Sequence, residues 1–259
     1  MPEMIEVERY RQVADLAVGR RVTSVDAPDD WYLKGGATAG DLQDALIGRT
    51  LAATRRIGKL LLLDADGPTL GLRFGMTGRL IVDGRAPIER LEYSSNRQDP
   101  TWVRFTLGFD GLGDLRMVDP RRLGGVELEP DESRLGVDAL TVRPAQLRDL
   151  LARSRAPIKA CLLDQHRIAG IGNLLVDEML WRAGIDPARP ARSLEAKELR
   201  RLHRHVVATI TDLTGRGGSH AGDLHVARAL GASCPRDGAL LQRRTIGGRT
   251  TYSCPRHQR

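Results

Sequence analysis

Lys59-Leu-Leu-Leu-Leu63-Asp64-Ala-Asp-Gly-Pro68-Thr69-Leu-Gly-Leu-Arg73-Phe74-Gly75-Met-Thr-Gly78-Arg79-Leu-Ile-Val82 decides the fold of the first half of this 259-residue chain. Short apolar runs alternate with turns. Gly and Pro recur too often for a helix, so the runs read as strands. Asp64 to Pro68 is one turn and Gly75 to Gly78 another. Trp102 to Leu107 alternates in the same way, and Leu115 to Val118 follows a glycine turn at 111–113. Several short strands separated by turns predict a β-sandwich or barrel. A helix from Glu3 to Val18, ended by Gly19, leads into them.

The second half changes period. Pro144 to Arg153 and Ile158 to Leu163 read as helices, and Gly170-Ile-Gly172 interrupts the pattern. Asn173 to Ala183 is a helix stopped by Gly184 and Pro187. Leu194 to Thr214 is long and amphipathic, with Leu199, Leu202, Val206, Ile210 and Leu213 on one face. The expected architecture is α+β and multi-domain: an N-terminal β-sandwich (1–130), a linker (131–140), a helical domain (141–227) and a C-terminal hairpin (228–259).

Composition excludes several classes. Charged residues make up 28% and the hydrophobic set 41%, enough for a core and too apolar for a disordered chain. No run is long enough to span a membrane. Glu3, Glu6, Glu8 and Asp15 argue against a secretory leader and for a cytoplasmic protein. The net charge of +7 is unevenly spread. Residues 1–140 carry 19 basic and 23 acidic side chains, whereas 228–259 carry 7 and 1. A dense basic tail points to a polyanion contact more strongly than a diffuse excess would.

That tail is too short for a core of its own, so it needs a metal, a disulfide or docking. Of the three cysteines, Cys161 lies in an apolar helix and reads as core. Cys234-Pro-Arg-Asp237 and Cys254-Pro-Arg-His257 form two similar frames around a hairpin with its turn at Gly247-Gly248. Two thiolates, a carboxylate and a neutral imidazole suit a structural Zn²⁺. Aspartate is a harder ligand than cysteine, so affinity should fall below that of a four-cysteine site. Spacing alone leaves open a hairpin that holds without metal.

Seven segments together resemble the formamidopyrimidine-DNA glycosylase/endonuclease VIII family of bifunctional base-excision-repair enzymes, and lie closer to its formamidopyrimidine branch. They are Met1 to Glu8, Ile57-Gly-Lys59, Gly75 to Gly78, Asp119-Pro-Arg-Arg-Leu-Gly124, Ile168 to Asn173, Val176-Asp-Glu178, and Arg249 ahead of Cys254. The third and fourth are similar to the family's strand motif and wedge loop. The next two resemble its helix–two-turns–helix element.

The resemblance implies a DNA glycosylase with abasic-site lyase activity on double-stranded DNA containing a damaged base or abasic site, expected as a monomer. It makes Pro2 the nucleophile, which removal of Met1 would expose as a secondary amine titrating near ~8. It makes Glu3 the acid/base partner, Glu6 a support one helical turn on, and Lys59 and Arg249 contacts to sugar and phosphates around the lesion. Arg73 and Asn173 would bind backbone phosphate. Met76, Arg121 and Leu123 would fill the space left by the everted base, with Arg121 facing the orphaned partner.

The chain also departs from the family pattern. Asp237 and His257 stand where cysteines are usual, Arg73 replaces a histidine, Pro100-Thr-Trp102 replaces a His-rich segment, and Leu123 replaces an aromatic wedge. Ser219 to Ser233 is shorter than the family's segment there, which carries the loop that closes over 8-oxoguanine. Formamidopyrimidines, oxidised pyrimidines or bulky alkylated adducts are therefore expected before 8-oxoguanine. A non-catalytic DNA-binding or damage-sensing homologue is the alternative.

Overall fold

The structure, a computed structural model, describes residues 2–88, 91, 97, 99–111 and 113–259. Met1, on whose removal the Pro2 reading depends, and Leu112 of the glycine turn lie outside the described residues. The chain divides into two compact units, Met1–Glu132 and Ser133–Arg259.

The first unit opens with α1 (Met4–Ala14), a 3₁₀ turn (Asp15–Ala17) and Gly19 at φ +84°. Strands β1 (Val22–Asp26) and β2 (Leu33–Lys34) precede α2 (Ala39–Leu46). Then come β3 (Leu51–Ile57), β4 (Leu60–Ala65), β5 (Thr69–Arg73), β6 (Arg79–Val82), β7 (Val103–Phe109), β8 (Asp114–Val118) and β9 (Gly125–Leu128). Among the described residues they form a four-stranded sheet, β1-β7-β8-β6, and a five-stranded sheet, β2-β9-β5-β4-β3. One apolar core unites them. Leu61, Leu63 and Leu72 of the larger sheet join Leu80, Phe105, Leu107 and Met117 of the smaller, with Val7 and Tyr10 of α1. The expected sandwich is therefore present.

The leucine run of β4 has a physical reason for not alternating. Leu61 and Leu63 face the core, and Leu60 and Leu62 on the opposite face are also buried. On that outer side a Cβ added at Gly71 would lie 2.9 Å from Pro130 Cγ, so the chain returns closely over the sheet. Helix α2 was missed in the sequence, although its signal is there. Thr38 Oγ1 accepts from the Asp41 amide at 3.2 Å, and Asp41 accepts from the Thr38 amide at 2.8 Å, a reciprocal cap.

The second unit holds β10 (Val137–Asp138), α3 (Pro144–Leu151), α4 (Ile158–Leu163), β11 (Ile168–Ala169), α5 (Asn173–Ala183), α6 (Ala196–Arg216), β12 (Gln242–Ile246) and β13 (Arg249–Ser253). β10 and β11 pair in parallel. The antiparallel β12–β13 hairpin turns at Gly247 and Gly248, both at positive φ. Helix α5 ends at Gly184 in the left-handed conformation, as its sequence predicts. No helix among the described residues is long and apolar enough to cross a membrane.

Candidate functional site

In the first unit the start of α1 is buried. Pro2 is enclosed, Glu3 is 0% exposed and Glu6 is 5% exposed. The Glu3 amide donates to Glu6 Oε2 at 2.8 Å, which fixes Glu6 one turn below Pro2. Burying two carboxylates at a helix start is costly unless they are held by partners, and such groups concentrate at functional sites. Lys59 sits in the two-residue turn between β3 and β4, after Gly58 at φ +58°. Arg56 ties that turn to α1. It donates to Glu8 Oε2 at 3.0 Å and to the Gly58 carbonyl at 2.8 Å. Arg56 went unnoticed in the sequence, because a strand arginine gives no sign of what it will bridge.

The three expected wedge residues come together on two adjoining loops. Gly75, at φ +54°, lies backbone to backbone with the second loop: an added Cβ would fall 2.4 Å from the Leu123 carbonyl carbon. The Arg121 guanidinium reaches Met76 Sδ at 3.8 Å. Leu123 is 49% exposed, a large apolar side chain held out to solvent. Tyr10 of α1 stacks on Phe74 at 4.4 Å and donates to the Gly78 carbonyl at 3.3 Å, bracing the Met76 turn against the helix. Burial pushes the Tyr10 hydroxyl far above its usual range, so it stays a donor. Arg73 is paired with Glu127 at 3.1 Å, so part of its charge is already answered within the sheet.

In the second unit Asn173 opens α5, and its amide donates to the Thr250 carbonyl at 3.1 Å. Arg249, the preceding residue, is exposed at the start of β13. Beneath it lies a charge cluster that was not anticipated. Lys159, 0% exposed, donates to Asp177 Oδ1 and Thr251 Oγ1, each at 2.7 Å. Arg228 pairs with the other Asp177 oxygen and lies 5.2 Å from the Tyr252 ring centroid. The scarcity of lysine was the one sequence hint that Lys159 is special. The segment after α6 is held down too, since Glu178 accepts from the Asp223 and Leu224 amides at 3.1 and 2.9 Å.

Cys234, Asp237, Cys254 and His257 converge, with one ligand atom from each within 4.8 Å of the others. The donor set fits a tetrahedral ion. His257 Nε2 faces the Trp181 carbonyl at 3.3 Å, which directs Nδ1 inward, where it lies 2.8 Å from Asp237 Oδ2. The Trp181 indole N–H donates to Cys234 Sγ at 3.3 Å, as a thiolate would favour. The Ala239 amide and His257 hold the Asp237 carboxyl well below the usual range, so it is an anion ready to ligate. The cluster could therefore hold a metal.

Comparison with known proteins accounts for both units. Residues 1–126 match the formamidopyrimidine-DNA glycosylase N-terminal domain, and residues 135–222 match the formamidopyrimidine-DNA glycosylase H2TH domain. The chain is 35% identical to a formamidopyrimidine-DNA glycosylase of Geobacillus kaustophilus over 100% of both chains. It is 34% identical to that of Chloroflexus aurantiacus, covering 98% of this chain and 96% of the relative. Among solved structures it is similar to the Lactococcus lactis Fpg bound to abasic-site DNA, at 25% identity, a TM-score of 0.83 and complete coverage of both chains. The same protein bound to DNA containing N7-benzyl-Fapy-dG gives a TM-score of 0.84 at 25% identity, again with complete coverage.

Proposed function

We infer the roles of individual residues from one premise: the chain belongs to the formamidopyrimidine-DNA glycosylase family. It is a base-excision-repair DNA glycosylase with abasic-site lyase activity, and its substrate is DNA carrying a damaged base or abasic site.

The Pro2 amine, freed of Met1, is the nucleophile. Its nitrogen bonds to C1′ as the glycosidic bond breaks, and the base leaves with that electron pair and a proton. The sugar ring then opens to an iminium that has no N–H to lose. Loss of a proton from C2′ sends the C–H electron pair into this cation as an enamine, which then expels the 3′ phosphate with the C3′–O electron pair. A second elimination removes a proton from C4′ and expels the 5′ phosphate with the C5′–O electron pair. Glu3 gives and takes the protons at the sugar, with Glu6 as its support. Lys59 and Arg249 bind the phosphates that become leaving groups, and Arg73 and Asn173 bind backbone phosphate. Met76, Arg121 and Leu123 occupy the duplex in place of the everted nucleotide, offsetting an eversion cost of a few kcal/mol.

The observation that carries this assignment is the burial of Glu3 and Glu6 beside Pro2. Cys234, Asp237, Cys254 and His257 would hold a zinc ion, which would serve to fold the hairpin that carries Arg249. The short segment 219–233 favours formamidopyrimidines, oxidised pyrimidines or bulky alkylated adducts over 8-oxoguanine. Work on chromosomal DNA puts the enzyme in the cytoplasm.

Borohydride trapping on abasic-site DNA is the direct test. The chain should be captured covalently, and Pro2→Gly should trap far less. Undiminished trapping by that variant moves the nucleophile elsewhere. Tight DNA binding with no trapping by the wild type favours a non-catalytic homologue.

A further inference from the structure

We propose that Asp119 is the positioning residue of the duplex plug, holding Met76, Arg121 and Leu123 in their inserting geometry before DNA arrives. The inference rests on the role proposed above for those three side chains, since Asp119 acts through them and does not itself reach DNA.

Asp119 is 0% exposed, and its carboxylate is shared between the two loops. One oxygen accepts from Thr77 Oγ1 at 2.5 Å and from the Arg121 amide at 3.2 Å. The other accepts from the Gly124 amide at 2.8 Å. Thr77 is the neighbour of Met76, and Arg121 and Gly124 bracket Leu123. A single carboxylate therefore ties the Thr77 side chain, next to Met76, to the backbone at Arg121 and on the far side of Leu123. Its own backbone is held as well, because Arg104 Nε donates to the Asp119 carbonyl at 2.9 Å.

A second carboxylate completes the frame. Arg122 takes the left-handed conformation at φ +56°, uncommon for a residue with a side chain. Its guanidinium is bidentate to Asp29, at 2.7 and 2.5 Å. At that turn Arg121 reaches toward Met76 while Arg122 reaches back to Asp29, in the loop after β1. Buried donors of this kind need an acceptor for each N–H and O–H. Asparagine keeps the shape of Asp119 but offers one acceptor oxygen and puts an NH₂ against the remaining donors.

The test compares one abasic site in two settings: in a duplex opposite cytosine, and in a single-stranded oligonucleotide with no hole to fill. With wild type, borohydride should trap the chain on both. Asp119→Asn should lower the duplex trapping rate about 10- to 100-fold, the scale of a small misplacement of a positioning group, and leave the single-strand rate unchanged. Thr77→Val should fall in the same direction, and Thr77→Ser, which keeps the hydroxyl, should restore duplex trapping. Equal loss on both substrates would assign Asp119 to general stability and overturn the proposal, as would no loss on either. Failure of wild type on both substrates would instead overturn the assignment of Pro2.

Discussion

Asp177 and Lys159 are the two ends of one buried ion pair, yet they should not be equally costly to neutralise. Asp177 serves two cations, Lys159 at 2.7 Å and Arg228 on its other oxygen. Lys159→Met removes one of them and leaves the acid with Arg228. The loss is then that of a charge-assisted hydrogen bond, about 1.5–3 kcal/mol. Asp177→Asn removes the acid that both cations share. Lys159 is wholly enclosed, and an uncompensated buried charge costs about 3–5 kcal/mol. Asparagine adds no cavity, so the difference reports charge. Urea unfolding followed by helical circular dichroism is the assay. With a slope near ~2 kcal/mol per molar, the midpoint should drop by about 1 M for Lys159→Met and about 2 M for Asp177→Asn. Amide exchange across 249–253 should rise in the same order, because Thr250, Thr251 and Tyr252 all bond to this cluster. If Lys159→Met proves as damaging as Asp177→Asn, or more so, the reasoning about shared charge is wrong.

Other outcomes follow from single features. Gly75→Ala should lower the melting temperature and weaken duplex trapping. It adds about 1–2 kcal/mol for a left-handed alanine to a 2.4 Å contact with the Leu123 backbone. Elemental analysis should find about one zinc per chain. Chelation should speed amide exchange in the hairpin and leave the sandwich of the first unit protected. The Arg189 guanidinium holds the Glu198 carboxyl down to about 2, from an ordinary 4.5. A carboxyl depressed on folding stabilises fully above its unfolded value and loses that effect as pH falls through the folded one. Acid titration of stability should therefore be steeper between pH 4.5 and 2 for wild type than for Glu198→Gln.

Much of the molecule was legible in its sequence, because the relevant signals are local. Turn residues marked the strands of the sandwich, and Gly184 marked the end of α5. The Cys-Pro-Arg-Asp and Cys-Pro-Arg-His frames gave a ligand set that the structure gathers within 4.8 Å. Pro2, Glu3, Lys59, Met76, Arg121 and Arg249 could be nominated because each falls within a short motif. Helix α2 could also have been found from Thr38 and Asp41.

Tertiary structure alone decided what holds those residues in place. Thr77 and Asp119 are 42 residues apart, and Lys159 and Thr251 are 92 apart. An aspartate reads the same in sequence whether it faces water or serves three donors in the interior. Burial multiplies the strength of such a contact and the cost of losing it, and burial comes from packing rather than from neighbours in the chain. The sequence by itself therefore nominated the candidates for the chemistry and the residues that could bind metal. The fold determined which carboxylate links the Met76 turn to the loop at 119–124, which acid anchors the hairpin beside Arg249, and which arginine ties the Lys59 turn to α1.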